Sequence, residues 1–149
     1  MGASVPHPAL AGLVRGLDHV AIAVPSIAEA RKVYVGALGM TDGGIEHVAD
    51  QKVNVLMVHA GAQRIELVEP AAPDSPISGF LAKRGPGLHH LAYVVDDVAA
   101  AVAALQRAGL RMIDAAPRPG AHDTRIAFVH PSATGGVLTE LVELPRRMH

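Results

Sequence analysis

The sequence consists of two halves that repeat the same pattern. Leu17–Ala21 (LDHVA) matches Leu88–Ala92 (LHHLA) near the start of each half. Ile65–Glu69 (IELVE) matches Thr139–Glu143 (TELVE) near the end of each half. Two copies are too few for a solenoid, which needs three or more. The repeat therefore predicts two related modules that pack together and are related by a pseudo-twofold axis.

Apolar periodicity gives the same order of elements in both halves: a strand, a helix and about three further strands. In the first half we expect strands at Leu17–Val24, Val53–His59 and Arg64–Glu69 and a helix from Ile27 to a cap at Gly39; in the second, strands at Leu88–Val95, Arg125–His130 and Val137–Leu144 and a helix at Val98–Arg107. The segment Ala71–Gly87 is rich in Pro and Gly, which predicts a linker with one or two helical turns.

These patterns predict an α+β fold made of two βαβββ modules within a single domain over residues 1–149. Its parts are an N-terminal extension at residues 1–15, a first module at 16–70, a linker at 71–86 and a second module at 87–145.

Composition limits the partners and the chemistry. The formal net charge is −1 and no basic stripe is present, which argues against nucleic acid. No apolar run approaches the ~20 residues that span a bilayer, and Pro6 and Pro8 interrupt the start of the chain, so we expect a cytoplasmic protein without a membrane partner. There is no Cys, so any metal must be bound by His, carboxylate or amide groups.

Four polar residues occupy matched positions in the two halves. His19 and His90 lie in the first strand of each module, and Glu66 and Glu140 lie in the last strand. A buried carboxylate without a partner costs several kcal/mol, so each Glu needs a cation or strong donors. One divalent metal bound by all four residues meets this need, and the donor set suits Co²⁺, Mn²⁺, Ni²⁺, Zn²⁺ or Fe²⁺.

The other histidines lack this support from the repeat. His89 is adjacent to His90 and is expected to face the opposite side of the strand. The remaining ones are interpreted as structural or surface residues: His7, His47, His59, His122, His130 and His149.

With these residues the chain resembles the vicinal oxygen chelate superfamily and, within it, the methylmalonyl-CoA epimerase family. The resemblance extends from Leu17 to Leu144. Its motifs are DHVAIAVP at 18–25, IEL at 65–67, DSPI at 74–77 with GFL at 79–81, GLHH at 87–90, FVHP at 128–131, GGVL at 135–138 and EL at 140–141.

The resemblance implies one domain with a curved mixed sheet around the metal site. It also implies an isomerase that interconverts (2R)- and (2S)-methylmalonyl-CoA by 1,1-proton transfer through an enolate. His19, Glu66, His90 and Glu140 would bind the metal, with Co²⁺ preferred and Mn²⁺, Ni²⁺ or Zn²⁺ as alternatives. The expected partners are an acyl-CoA substrate and a second copy of the chain in a homodimer.

Inversion needs a base on each face of the planar intermediate. In some family members one base is a Glu on the strand that corresponds to Val53–Met57, but Val55 occupies that position here. We therefore predict Glu140 and Glu66 as the two catalytic residues. In some relatives the residue at Glu66 is a Gln, so Glu66 could also serve as a ligand alone.

Substrate contacts are predicted from the resemblance and from loop positions. Gln51 and Lys52 precede a strand as in epimerase relatives, and Gly120 and Arg125 flank a loop similar to the family's substrate-covering segment. Lys52, Arg118 and Arg125 are candidates for contact with the anionic coenzyme A.

Other functions of the same fold stay open at this point. A glyoxalase I-like lactoylglutathione lyase would use the same metal and carboxylates, and a metal-free ligand-sequestering protein would lack the metal. An extradiol-type dioxygenase is disfavoured by the scarcity of aromatic residues. Ethylmalonyl-CoA differs from methylmalonyl-CoA by one methylene, which changes pocket affinity by only ~1–3 kcal/mol.

Overall fold

A computed structural model describes residues 12–145, and the eight strands within these residues form one sheet. The predicted His7 and His149, and most of the predicted N-terminal extension, lie outside these residues. The strands are β1 (Gly16–Ala23), β2 (Thr41–Val48), β3 (Val53–Ala60), β4 (Gln63–Pro70), β5 (Gly87–Val94), β6 (Arg118–Pro119), β7 (Arg125–Val129) and β8 (Thr139–Glu143). The helices are α1 (Ile27–Arg31), α2 (Pro76–Arg84) and α3 (Val98–Arg107).

The order of the strands across the sheet is symmetric about its centre. It runs β2-β3-β4-β1-β5-β8-β7-β6, so each module contributes four neighbouring strands. The pairs β1/β4 and β5/β8 are parallel, and the other pairs are antiparallel. The two modules join through antiparallel pairing of their first strands, β1 and β5. The predicted α+β fold with two βαβββ modules and a mixed sheet is confirmed.

Strand alternation divides the core between the two faces of the sheet. On one face, α1 and α3 each cover a cluster of their own module, with Leu56 and Leu67 under α1 and Val102 and Leu141 in the cluster of α3. The other face has smaller side chains. Its buried members include Ala21, Ala23, Val53, Val55, Val68, Ala92, Ile126, Phe128 and Val142. This second face is the one on which the candidate site lies.

The predicted helices differ from the observed ones in two places. The helix predicted from Ile27 to Gly39 continues from Lys32 as a π-helical segment, Lys32–Ala37. Gly39, just after this segment, has a φ of 72°, as is typical of a residue that ends a helix. In the predicted linker, α2 is nine residues long, somewhat more than one or two turns. Ser75 caps it by accepting from the Ile77 N–H, and Ile77 is buried.

The repeated segment at the end of each module also caps the helix of that module. Glu69 Oε1 accepts a hydrogen bond from the Ile27 N–H at 2.7 Å, and Glu143 Oε1 accepts one from the Val98 N–H at 2.9 Å. Both donors are at a helix N-terminus, where backbone N–H groups lack partners and a negative charge is favourable. The two modules therefore use the same side chain to connect sheet and helix.

Within the described residues, no helix has the length and apolar character needed to cross a bilayer.

We predict that Glu143→Ala lowers the free energy of unfolding by about 0.5–2 kcal/mol, because the Val98 N–H loses its acceptor. Urea unfolding measures this change. Glu143→Gln, which keeps an acceptor oxygen, should retain most of the stability. An alanine variant as stable as the parent protein would contradict the capping role.

Candidate metal centre

Strand register brings the four matched residues of the two modules to one place on the face of the sheet opposite α1 and α3. Ala21 is paired with Glu66 on one side and His90 on the other. Ala92 is paired with His19 on one side and Glu140 on the other. Residues paired across neighbouring strands point to the same face. Both alanines are fully buried and short, which leaves room for the longer polar side chains beside them.

The polar atoms of His19, His90 and Glu140 converge on a common point, and Glu66 contacts His19 beside this group. His19 Nε2 lies 3.2 Å from His90 Nε2, 3.3 Å from Glu66 Oε2 and 3.7 Å from Glu140 Oε1. His90 Nε2 lies 3.4 Å from Glu140 Oε2. All four residues are buried, with 3 to 7% of their surface exposed. The predicted set His19, Glu66, His90 and Glu140 is thus brought together, and its role as a ligand set stays a prediction.

Each of the two imidazoles is held through its other ring nitrogen by the residue that precedes it. His19 Nδ1 is 2.7 Å from Asp18 Oδ2, and Arg64 Nη1 donates to the other oxygen of Asp18 at 3.0 Å. His90 Nδ1 is 2.8 Å from His89 Nδ1.

The prediction that His89 faces away from His90 is wrong, and a β-bulge is the reason. In the pairing of β1 with β5, Ala21 is opposite His90 and Ile22 is opposite Leu88, so His89 is an extra residue on its strand. A bulge interrupts the alternation of side chains and lets neighbouring residues point to the same side. Asp18 is the extra residue at the equivalent place in the first module.

Burial and neighbouring charges shift the proton affinities of these groups. Burial raises the pKa of Glu140 to about 8, and it also raises the pKa of Glu66. Burial, together with the nearby His19, holds the pKa of His90 well below its usual range. Burial alone would lower the pKa of His19 as well, but the hydrogen bond to Asp18 and the charges of Glu66 and Glu140 raise it. The carboxylates therefore lack sufficient compensation from the protein alone.

The donor set fits a divalent cation. For N and O ligands about 2.1 Å from a metal ion, neighbouring ligands are about 3.0 to 3.4 Å apart, close to the distances found here. His19, His90 and Glu140 each offer one ligand atom within 4.8 Å of the others. Two carboxylates would balance the charge of such an ion, and two imidazoles suit a borderline metal.

A cavity of about 180 Å³ adjoins two of the four residues, Glu66 and His90, whereas His19 and Glu140 line a smaller recess together with Glu66. Its wall is mainly apolar, and Val55 is part of it. Other lining residues are Gln51, Val53, Glu66, Val68, Pro76, Ile77, His89, His90, Ile113, Arg118, Phe128 and Leu138. A second cavity of about 610 Å³ shares Pro76, His89, His90 and Leu138 with the first and also includes Lys83 and Arg84.

The predicted substrate contacts occupy different places. Gln51 lines the 180 Å³ cavity, and Gly120 lies beside His19 and Glu66 in a small recess. Lys52 pairs with Asp74, and Arg125 Nη1 lies 3.6 Å from Glu143 Oε2. Neither cation lines the 180 or the 610 Å³ cavity, but Arg125 lines a separate cavity of about 350 Å³ together with Arg118 and Gly120. The contact of both cations with substrate stays a prediction.

Two residues that sequence reasoning set aside also reach the site. His122, interpreted as a structural or surface residue, lines the recess beside Asp18 and Glu66. Its backbone N–H donates to Glu46 on β2, which ties the loop of Gly120 to the other module. His89 is the second such residue. A signal for it was available, because His89 matches Asp18 in the repeat and each precedes a candidate ligand.

Comparison with known proteins identifies similar sequences and structures. Residues 18–128 match the family model described as the Glyoxalase/Bleomycin resistance protein/Dioxygenase superfamily. The chain is 40% identical to the mitochondrial methylmalonyl-CoA epimerase of Bos taurus over 126 residues, which are 84% of this chain and 72% of that protein. It is 37% identical to an ethylmalonyl-CoA/methylmalonyl-CoA epimerase of Cereibacter sphaeroides over 134 residues, 89% of this chain and all of that protein.

A solved structure has the same fold. It is a variant of Streptomyces coelicolor methylmalonyl-CoA epimerase in complex with 2-nitronate-propionyl-CoA. The TM-score is 0.83 at 33% identity, and the match covers 89% of this chain and 99% of that chain.

We predict that Co²⁺ at about 100 times its Kd raises the free energy of unfolding by about 2.7 kcal/mol and that a chelator reverses the gain. Glu140→Gln should lose this stabilisation, because an amide does not balance the charge of the ion. Thermal unfolding with and without Co²⁺ measures both effects. The matched control is Glu143→Gln, three residues along the same strand on the opposite face, which should keep the gain. Equal stabilisation of the Glu140→Gln variant would refute the site.

Proposed function

Because this chain belongs to the glyoxalase/bleomycin resistance protein/dioxygenase superfamily, we propose that it interconverts (2R)- and (2S)-methylmalonyl-CoA. Its relatives are epimerases, and the chain is an isomerase of the racemase and epimerase class. The reaction removes the proton from the carbon between the thioester and the carboxylate and returns a proton to the opposite face. The enolate left after the first step is planar, so its two faces are open to two different acids.

The observation that carries the proposal is the pair of buried carboxylates at equivalent positions of the two modules. Glu66 and Glu140 each lie within 4 Å of His19 Nε2, and they come from strands on opposite sides of the central β1/β5 pair. A pseudo-twofold axis relates them, so they approach a substrate at the centre from opposite directions. Epimerisation needs such an arrangement, because one acid must deprotonate one face while the other protonates the second face.

His19 and His90 would hold a divalent cation together with the two carboxylates. When bound, the cation supplies Lewis-acid stabilisation of the negative charge that develops on the substrate oxygens. The protein residues do the rest of the work. Glu140 exchanges the proton on one face and Glu66 exchanges it on the other. The apolar wall that includes Val53, Val55 and Phe128 excludes water from the carbanion.

Val55 supports the assignment of Glu66 as the second base. A carboxylate at the position of Val55 on β3 could have served one face, but valine offers no proton acceptor. Glu66 is on β4, the strand next to β3, and both residues line the same cavity. Glu66 therefore acts both as a ligand and as a base.

Two neighbouring cavities that share four lining residues support an acyl-CoA substrate. The 180 Å³ cavity, which Glu66 and His90 line, accepts the malonyl portion, and the 610 Å³ cavity accepts part of the coenzyme A chain. Arg118 in the first cavity and Lys83 and Arg84 in the second give positive charge for an anionic substrate. The Co²⁺ preference, the homodimer, the cytoplasmic location and the choice between methylmalonyl-CoA and ethylmalonyl-CoA stay predictions.

The activity itself is tested in a coupled assay. We expect the Co²⁺-loaded protein to convert (2S)-methylmalonyl-CoA into a form consumed by a partner enzyme that accepts only the (2R) form. A chelator should abolish turnover and added Co²⁺ should restore it. Ethylmalonyl-CoA and the hemithioacetal of methylglyoxal and glutathione serve as comparison substrates. Absence of turnover with both acyl-CoA esters in metal-loaded protein would overturn the proposal.

Isotope exchange distinguishes the roles of Glu66 and Glu140 as bases. We predict that Glu66→Gln lowers epimerisation by about 10²–10⁴-fold, because one face loses its base. Deuterium from the solvent should still enter one enantiomer through Glu140 but not the other. Mass spectrometry of each enantiomer measures the exchange. Glu69→Gln, on the same strand and the opposite face, is the control and should behave as the parent protein. Undiminished exchange into both enantiomers would remove Glu66 as a base.

A further inference from the structure

The two β-bulges at the centre of the sheet place unlike side chains in equivalent positions. Asp18 and His89 are the extra residues of β1 and β5, and each precedes a histidine of the central group. Each contacts Nδ1 of that histidine, at 2.7 Å for Asp18 and 2.8 Å for His89. The repeat has thus kept the position and the contact while the chemistry of the contacting group has changed.

The contact at His90 determines which ring nitrogen can bind a cation. Nε2 of His90 faces the centre, 3.2 Å from His19 Nε2 and 3.4 Å from Glu140 Oε2. A neutral imidazole carries one proton, so Nε2 has a free lone pair only when the proton is on Nδ1. The Nδ1–H group of His90 then needs a hydrogen-bond acceptor, because the His90 side chain is buried. The Nδ1 lone pair of His89 is that acceptor.

We propose that His89 is a positioning residue that fixes the Nδ1–H tautomer of His90 and so keeps Nε2 of His90 available to a divalent cation. The proposal rests on the metal centre proposed above. His89 carries its own proton on Nε2 and acts on the cation only through His90. It does for His90 what Asp18 does for His19, without adding a charge.

The difference between the two modules explains why a neutral group suits the second position. Asp18 is a buried anion whose charge is offset by Arg64, 3.0 Å away on β4. By the strand register, Leu138 occupies the place in the second module that Arg64 has in the first. A carboxylate at position 89 would lack the ion pair that Arg64 gives Asp18 and would add a third negative charge near Glu66 and Glu140. An imidazole accepts the same hydrogen bond without this cost.

The ring of His89 is itself held in place by packing. Phe80 of α2 meets it edge to face, with ring centroids 4.9 Å apart and an interplanar angle of 77°. Arg84 lies over the ring of Phe80, with its guanidinium carbon 5.8 Å from the ring centroid. Helix α2, predicted as part of a linker, therefore helps to orient a ligand of the site.

Two variants separate the hydrogen bond from the packing. His89→Phe keeps an aromatic ring against Phe80 but removes the acceptor, and His89→Asn removes the ring but keeps an oxygen that can reach Nδ1 as Asp18 does. We expect His89→Phe to weaken Co²⁺ binding by about 10–100-fold, measured by calorimetry, and His89→Asn to stay close to the parent protein. His47→Phe is the control, because His47 is exposed and bonds Asn54 far from the centre. Unchanged affinity in His89→Phe, or loss in His89→Asn alone, would overturn the proposal.

The tautomer is measured independently of metal binding. In the metal-free protein, ¹H–¹⁵N correlation spectra of the imidazole rings should show the proton of His90 on Nδ1, and in His89→Phe it should move to Nε2. A His90 proton already on Nε2 in the parent protein would refute the role of His89. If the parent protein binds no Co²⁺, the metal centre fails, yet these spectra still decide what His89 does. The two failures are therefore distinguishable.

Discussion

The antiparallel pairing of β1 with β5 is the constraint on which the rest of the structure depends. It is the one contact between the central strands of the two modules, and it sets Ala21 beside His90 and Ala92 beside His19. The parallel strands β4 and β8 then add Glu66 and Glu140 to the ends of these rows. A slip of one residue in this pair would put His19 and Glu66 on the face opposite to His90 and Glu140. The two bulges, at Asp18 and His89, help to fix this register.

The repeated segments IELVE and TELVE show how one stretch of strand serves two purposes. The first Glu of each segment faces the buried centre, and the second, three residues later, faces the helices and caps one of them. Strand alternation makes this division automatic, since an odd spacing sends side chains to opposite faces. The group at the centre and the docking of α1 and α3 are therefore coupled. The strands β4 and β8 each place one carboxylate at the site and use another to cap the helix of their own module.

Much of this arrangement could be predicted from the sequence, and the reasons are physical. Long apolar strands such as β1 and β5 have strong patterns, and the repeat links His19 with His90 and Glu66 with Glu140 before any coordinates are known. Bulges were not predictable, because one extra residue leaves no mark on a short apolar strand, so His89 was assigned to the wrong face. The π-helical segment and the full length of α2 depend on tertiary packing. The position of His122 depends on a contact between modules, through Glu46, that no local pattern encodes.

The asymmetry of the repeat is as important as its symmetry. In the proposed epimerisation, symmetric carboxylates would reach the two faces of a planar intermediate, but the proposed substrate, methylmalonyl-CoA, has a thioester at one end and a carboxylate at the other. A fully symmetric site would bind it equally well in two orientations. The residues that differ between the modules surround the symmetric group: Asp18 with Arg64 on one side, and His89 with Leu138 on the other. The first pair is charged and the second is uncharged, so in the proposed reaction the two ends of the substrate would meet different surroundings while its central carbon would meet equivalent acids.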